Sequence, residues 1–463
     1  MHARNLPEPS PALHLISVFL LFLLCIPAFA AAGPNIVFIL ADDLGCGDLS
    51  CYGGETPTPN LDRLAREGTR FTQAYSVAPI CSPSRAGLIT GQHPARSRIT
   101  SFLQTRKGNR ACEQDDFLDP TAPSLPRTLK AAGYRTGHIG KWHLGGGRDV
   151  TNAPPFSAYG YDAAFGTYES PEPHPEITAT NWIWSPHDPV KRWERSGWMV
   201  DRALDFLRDA KGKASFINLW LDDPHTPWVP SQAASSEPAR ARERKPNLRD
   251  VLVEMDRQIG RLVDGIREAG IGTNTLMIFM SDNGPLPTFE QTRAAGLRGS
   301  KLSLYEGGIR VPLIVWWPGR VPANRVNDKT IFSGLDVFPT LAHLAGAANM
   351  PPGAGENLAK ALLGESPQRK TTLFWEYGRN TNSFAFPRDA FHRSPNVAMR
   401  EGKWKLLINA DGSASQLYDL TADPRETRNL VFRERKRADR MSKAAVAWRK
   451  SQPGQGSAGV TTR

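Results

Sequence analysis

One pattern repeats along this chain: a short unbroken apolar run, then a segment of helical periodicity closed by glycine. The first run is Asn35-Ile-Val-Phe-Ile-Leu-Ala41, and residues 134–139, 215–221, 275–280 and 309–316 repeat it. Runs rich in branched residues and free of polar alternation suit strands covered on both faces, as in a parallel sheet. Helical patterns lie between them at 59–67, 124–132, 198–207 and 248–269, three of them closed by Gly68, Gly133 and Gly270; 336–344 is the last. The alternation predicts a large α/β sandwich around a mostly parallel central sheet. In open sheets of this kind ligands bind at the carboxyl ends of the strands. Polar residues just past each run are therefore the candidates for chemistry.

The pattern changes after Gly346. Met350-Pro-Pro-Gly-Ala-Gly reads as a linker, and short strand patterns follow at 371–377, 394–400, 403–408 and 416–419, with a helix at 433–449. This predicts a small C-terminal α+β subdomain with an antiparallel sheet, dividing the chain into 33–346 and 347–463. Residues 154–198 are rich in aromatics and proline and read as irregular loops over one end of the sheet. At the start, His2 and Arg4 lead into an apolar run, 15–30, that ends Ala28-Phe29-Ala30. That is the form of a secretory signal peptide over 1–32, and the run is short for a bilayer span. The mature protein is expected to be periplasmic or secreted, without a transmembrane anchor. Export leaves Cys46, Cys51, Cys81 and Cys112; a disulfide among them stays open, because spacing does not establish geometry.

Cys81-Ser82-Pro83-Ser84-Arg85 opens a helical pattern that Gly91 closes. Pro83 suits a first turn and Gly91 a helix stop. Cys81 would face free backbone N–H groups and the positive end of the helix dipole, a setting that favours thiolates and anions. A buried structural cysteine is the alternative.

Cys-x-Pro-Ser-Arg with Leu88-Ile-Thr-Gly91 downstream closely resembles the sulfatase signature, and further blocks extend the resemblance from about Pro34 to Leu430. It implies an alkaline-phosphatase-like fold and a sulfuric ester hydrolase. It also implies that maturation machinery oxidises Cys81 to formylglycine, an aldehyde that works as its hydrate, with Arg85 orienting it. Asp42-Asp43 and Asp282-Asn283 each follow a strand directly. Together they offer only oxygen ligands, which suits a hard cation such as Ca2+ or Mg2+ better than zinc. The family match implies one divalent ion, Ca2+ before Mg2+, held by Asp42, Asp43, Asp282 and Asn283 together with the modified residue 81, Cys81 in the sequence.

Gly140-Lys-Trp-His-Leu-Gly145 places Lys141 and His143 on one side if strand geometry persists past Trp142. By resemblance Lys141 binds the sulfate and His143 contacts the hydrated aldehyde as a base. Pro224-His225-Thr-Pro227 matches the family element whose histidine meets the leaving oxygen; His225 is the expected general acid. Lys301, five residues before Glu306-Gly-Gly, matches the second sulfate lysine, while Glu306 and Arg310 are expected to stabilise the turn and sheet. The substrate class so implied is a sulfated carbohydrate or aryl sulfate.

Two other readings stay open on sequence. One is a phosphodiester or phosphonate-ester hydrolase of the same superfamily; the other is a non-catalytic binder of sulfated glycans. Trp182, Trp184, Trp193 and Trp198 are candidates for stacking on sugar rings. The net charge of +11 is concentrated near the end of the chain, because residues 425–463 hold 11 Lys and Arg against three acids. That stretch reads first as a solvated helix face and chain end, with attraction to a polyanion such as a sulfated polysaccharide as the alternative; with no zinc-finger or RNA-binding signature beside it, nucleic acid is not the expected partner.

Overall fold

The computed structural model describes residues 33–177, 185–210, 212–380 and 382–453. The expected signal peptide, Trp182 and Trp184 lie outside the described residues. Among those described, no helix is long and apolar enough to cross a membrane.

The strands of the large sheet are β1 (Asn35–Ala41), β2 (Thr69–Phe71), β4 (Arg135–Gly140), β5 (Ala163–Gly166), β6 (Ser215–Trp220), β7 (Thr275–Ser281), β8 (Leu313–Trp316) and β9 (Arg325–Asn327), with a separate short pair, β3 (Ala74–Tyr75) and β10 (Phe332–Ser333). The large sheet has the order β5-β4-β6-β1-β7-β8-β2-β9. Its five central and edge strands from β5 to β7 are parallel, and β8 is antiparallel to both β7 and β2.

Successive side chains of a strand point to opposite faces, and this divides the core in two. Ile36, Phe38 and Leu40 of β1 join Phe216, Leu276 and Ile278 under the helices Leu125–Ala131 and Val337–Leu344. Val37, Ile39 and Ala41 join Ile217, Leu219 and Phe279 under Arg195–Arg208 and Lys245–Glu268, through Met199, Val200, Met255 and Ile259. Both faces are covered, which is why the strands read as unbroken apolar runs.

Two expectations change. Residues 309–316 do not make one strand: Glu306–Ile309 closes a helical turn, Arg310 bridges Tyr75 of the short pair, and pairing in the large sheet begins at Leu313, after Pro312, which has no N–H to donate. The stretch 154–198 is not wholly irregular, since it contains β5 and the start of the helix at Arg195.

The second sheet is antiparallel, in the order β11 (Leu373–Glu376), β12 (Val397–Glu401), β13 (Trp404–Ile408) and β14 (Gln416–Asp419). One face packs on the helix Arg435–Ser451 through Ala438, Met441 and Ala445. The other shares a core with Tyr75, Ile80, Tyr305 and Ile309, and Trp375 Nε1 donates to Ser76 O at 2.9 Å. The described residues from 34 to 453 thus pack as one unit.

Candidate active site

Strands β4, β6, β1 and β7 are parallel neighbours, so their carboxyl ends share one edge of the sheet. Lys141 follows β4, the Asp222–His225 loop follows β6, Asp42-Asp43 follows β1, and Asp282-Asn283 follows β7. Cys81 comes from the opposite direction, as the first residue of the fully buried helix Cys81–Thr90. Pro83 sits in its first turn, and Gly91 ends it at φ 65°, with its N–H donating to Gly87 O.

Cys81 Sγ lies 3.4 Å from Asp42 Oδ1, 3.5 Å from Lys301 Nζ and 3.9 Å from Asp43 Oδ1. Lys141 Nζ pairs with Asp42 Oδ2 at 2.5 Å, and Lys301 Nζ with Asp43 Oδ1 at 2.7 Å. Arg85 grips Asp282 Oδ2 through Nε at 3.0 Å and Nη2 at 2.8 Å, and its Nη1 donates to Lys141 O at 2.8 Å. Asn283 Nδ2 donates to Asp43 Oδ1 at 2.7 Å. Nine of the ten residues named from sequence therefore converge, and the tenth, His143, sits one step away, hydrogen-bonded through Nε2 to Leu103 O at 3.0 Å and 3.3 Å from Glu169 Oε2.

Lys301 is placed by a close crossing of two backbones. Its N–H donates to Pro285 O at 2.7 Å, just past Asn283. Gly284 N donates to Gly308 O at 2.9 Å, and a Cβ on Gly308 would lie 2.0 Å from Ser303 O. Only glycine fits the second Gly of the Glu-Gly-Gly block.

Ligating atoms of Asp42, Asp43, Cys81 and His225 all lie within 4.8 Å of one another. Asn283 Oδ1 is buried and accepts no hydrogen bond from the described residues, which costs free energy unless a cation or donor meets it. The paired carboxylates of Asp42 and Asp43, with the Asn283 amide on Asp43 leaving its own oxygen without a partner, make a candidate metal site of mainly oxygen donors. His225 stands in this group although it was not expected as a ligand, whereas Asp282, which was, lies outside it with its Oδ2 held by Arg85.

Two expectations about the groups are corrected. Cys81 is not poised as a thiolate. Burial, and then the Asp42 charge, push its thiol up, and these outweigh both lysines. Strand geometry also fails past β4: Gly140 has φ 103° and His143 φ 55°, so Lys141 and His143 do not share a face through alternation. Elsewhere burial opposes charge, but Lys141, His225 and Arg85 hold Asp42 well below the usual carboxylate range, and Lys301 and His225 hold Asp43 down. Burial and the Asp42 charge push Asp282 up to about 7. Burial lowers His143 to about 4, and its Nδ1 is a buried, bare acceptor among the described residues.

His225 Nδ1 lies 2.6 Å from Thr226 O. A carbonyl only accepts, so Nδ1 carries the proton and Nε2 faces Asp43 Oδ2 at 3.6 Å. The loop that carries His225 is clamped by residues the sequence reading missed. Arg192 pairs with Asp222 at 3.1 Å and Asp223 at 2.6 Å and donates to His225 O at 3.1 Å; Arg195 pairs with Asp222 at 2.7 Å. Asp222-Asp223 just after β6 repeats the Asp42-Asp43 position after β1, and that repeat was the available signal. Trp193 packs on Val229 and Ala234, and Trp198 donates to Glu176 at 2.9 Å and meets Phe165 edge-on, so both rest against the protein body. Cys46, Cys51, Cys81 and Cys112 are all free thiols.

An α/β sheet with buried carboxylates, two ammonium groups and a residue at a helix start gathered at its carboxyl edge defines a hydrolase built for anionic esters. The family model described as Sulfatase matches residues 34–347, and that described as N-sulphoglucosamine sulphohydrolase, C-terminal, matches 300–446. The chain belongs to the sulfatase family, whose members are sulfuric ester hydrolases. It is 29% identical to an N-acetylgalactosamine-6-O-sulfatase of Bacteroides thetaiotaomicron, over 86% of this chain and 89% of that one. It is 32% identical to human arylsulfatase A, over 87% and 84%. Among solved structures, BT33336S-sulf, from work on glycosaminoglycan metabolism by Bacteroides thetaiotaomicron, superposes with a TM-score of 0.72 at 25% identity, covering 90% of this chain and all of that one.

Proposed function

We propose that this sulfatase is exported and hydrolyses sulfate esters of carbohydrates at the pocket around Cys81. The observation that carries the reading is the meeting of Cys81, Lys141, Lys301 and His225 on the Asp42-Asp43 pair. Export is supported by the form of residues 1–32, and a carbohydrate substrate by the names of the relatives. The division into a 33–346 catalytic part and a 347–463 subdomain belongs to the same reading, supported by the change from parallel to antiparallel pairing.

Asp42, Asp43, Asp282 and Asn283 would hold one divalent cation, most simply Ca2+, with residue 81 beside it. When bound, the cation supplies Lewis-acid polarisation and positive charge. Formylglycine, made from Cys81, would supply a hydroxyl nucleophile that the protonated thiol is not. Asp42, Asp43 and Asp282 balance Arg85, Lys141 and Lys301, so the side chains alone are near neutral. Lys141 and Lys301 flank Cys81 and are placed to bind two oxygens of the sulfuryl group, preorganised charge of the kind that often dominates catalysis. Arg85 keeps Asp282 in place and braces the Lys141 backbone. His143 offers its bare Nδ1 as a proton acceptor, and His225, when charged, offers Nε2–H to the leaving oxygen.

That last role gives a selective outcome. Changing His225 to Gln is expected to lower turnover of sugar sulfates, whose alkoxide leaves poorly, on the order of 10^2–10^4-fold. An aryl sulfate with an activated leaving group should lose less than roughly tenfold, because its phenolate needs little help from an acid. Steady-state kcat/KM on both substrates reads the difference, and equal losses would remove the acid role. Chelation should abolish turnover, and added Ca2+ should restore it and raise the melting temperature through binding to the native state alone.

The proposal as a whole is tested by a panel of sulfated monosaccharides, beginning with N-acetylgalactosamine 6-sulfate, against phosphodiesters and phosphonate esters. Higher kcat/KM on a phosphodiester than on every sulfate ester would favour the other superfamily chemistry.

A further inference from the structure

The helix Arg435–Ser451 contains seven Lys and Arg and one acid, Asp439. Its inner face, Ala438, Met441 and Ala445, is buried on the antiparallel sheet. Lys436, Arg440, Lys443, Ala447 and Lys450 recur at i, i+4, i+7, i+11 and i+14, and all five are exposed. That spacing is one straight stripe, about 21 Å long at 1.5 Å per residue, on the side opposite the buried residues.

The charges on this helix fall into two sets. Arg437 pairs with Glu434, Arg440 with Glu401 at 2.7 Å, and Arg449 with Glu376 at 2.5 Å. Lys436, Lys443 and Lys450 have no acidic partner within 4.0 Å among the described residues, and they stand about 10 Å apart along the axis. Just before the helix, Phe432 is 92% exposed and is followed by the exposed Arg433. The exposed ring loses water-exposed apolar surface when covered, and a row of solvated ammonium groups attracts anions at regular spacing, so the two together suit a partner with repeated anions and apolar CH faces. A packed helix presents this row in a fixed geometry, so no ordering of the backbone opposes binding.

We propose that the outer face of this helix, Lys436, Lys443 and Lys450 with Phe432 at its head, is a docking surface for a sulfated polysaccharide, holding the polymer whose esters the pocket cleaves. The inference rests on the carbohydrate reading of the site. Charge complementarity carries it: a sulfated glycan is a linear array of anions with sugar faces between them, and of the polyanions it is the one that bears the ester class proposed for the pocket.

The test uses the full chain and two triple variants. K436S/K443S/K450S removes the stripe, and K213S/K329S/K370S removes three exposed lysines elsewhere. Binding of chondroitin sulfate is measured from 0.05 to 0.3 M salt (set for the assay, where screening changes on the order of a Debye length of 10 Å), beside duplex DNA and anionic phosphatidylserine vesicles as competing polyanions. The stripe variant is expected to bind the glycan at least about tenfold more weakly at 0.15 M salt, with a shallower salt dependence. The control variant should stay within about twofold of the parent. Aryl sulfate turnover should be unchanged in both, while kcat/KM on the polymer falls in the stripe variant alone. Equal loss in the two variants, or tighter binding of DNA or vesicles than of glycan, overturns the assignment. Should no sulfated sugar be turned over while stripe-dependent glycan binding persists, the pocket reading fails and the docking surface stands.

Discussion

Replacing Cys81 with alanine is expected to lower sulfate-ester turnover on the order of 10^4–10^6-fold, the loss seen when a nucleophile is removed, with stability changed by only about 1 kcal/mol. The fold tolerates the change because Cys81 contributes a single sulfur at the start of a helix held by Ala86, Leu88 and Ile89 and by the N–H of Leu103 on Ser82 Oγ at 2.9 Å. Catalysis does not tolerate it, because the other side chains there are engaged elsewhere: the carboxylates are paired with Lys141, Lys301 and Arg85, both lysines are held as ammonium groups, and His225 is reserved for the leaving oxygen. The thiol itself is a poor substitute for a converted residue. Burial and Asp42 keep it protonated, and a protonated thiol does not attack. Activity across preparations should therefore rise in proportion to the fraction of chains whose Cys81 peptide has lost the thiol, read by mass analysis and by labelling with a thiol reagent. A fully active preparation in which every Cys81 remains a free thiol would end the formylglycine reading.

The sheet and the pocket were legible for the same physical reason. Strands buried on both faces have no polar alternation, so β1, β6 and β7 stand out as apolar runs, and the polar residues that follow them are forced to the sheet's edge. Asp42, Asp43, Lys141, His225, Asp282 and Asn283 all sit at that edge. What sequence did not carry was the state of the groups once packed. The position of Cys81 at a helix start argued for a thiolate, but desolvation and a carboxylate 3.4 Å away decide otherwise. His143 was placed by alternation, yet the chain turns at Gly140 and brings it to Glu169 instead. Arg192 comes from an irregular stretch with no periodicity, and only the folded chain shows it gripping the His225 loop. Lys405 was least visible of all: nothing in the strand pattern at 403–408 singled it out, and it is fully buried between two carboxyls.

That lysine yields the largest expected effect on stability. Lys405 Nζ lies 2.9 Å from Glu306 Oε1 and 3.0 Å from Glu426 Oε1, with none of the three side chains exposed. Tyr75 OH donates to Glu306 Oε2 at 2.7 Å, and Glu306 N–H donates to Glu426 Oε2 at 2.6 Å. The knot ties β13 and the Glu426 turn to the Glu-Gly-Gly block, five residues past Lys301. Lys405→Met takes from Glu426 the cation paired with it and leaves Glu306 with the longer Arg310 contact at 3.6 Å, and is expected to cost about 3–5 kcal/mol. Against burial, Lys405, then Arg310 and Arg400, hold Glu306 at about 2, while burial and the Glu306 charge push Glu426 up to about 7. In the parent, the Glu306 contribution is complete above its ordinary value of 4.5 and is lost as pH falls toward 2. Glu426 works the other way: the native state keeps a proton that the unfolded chain releases, so its contribution declines as pH rises from 4.5 to about 7. Without Lys405 both carboxyls move up, and the variant gains stability as acid neutralises them. The deficit against the parent, measured by denaturant unfolding, should therefore be largest near pH 8 and shrink by pH 5. Adding Glu426→Gln to Lys405→Met should recover part of the loss at pH 8, since it removes one uncompensated charge, and a deficit independent of pH would show that packing, not charge, holds this knot together.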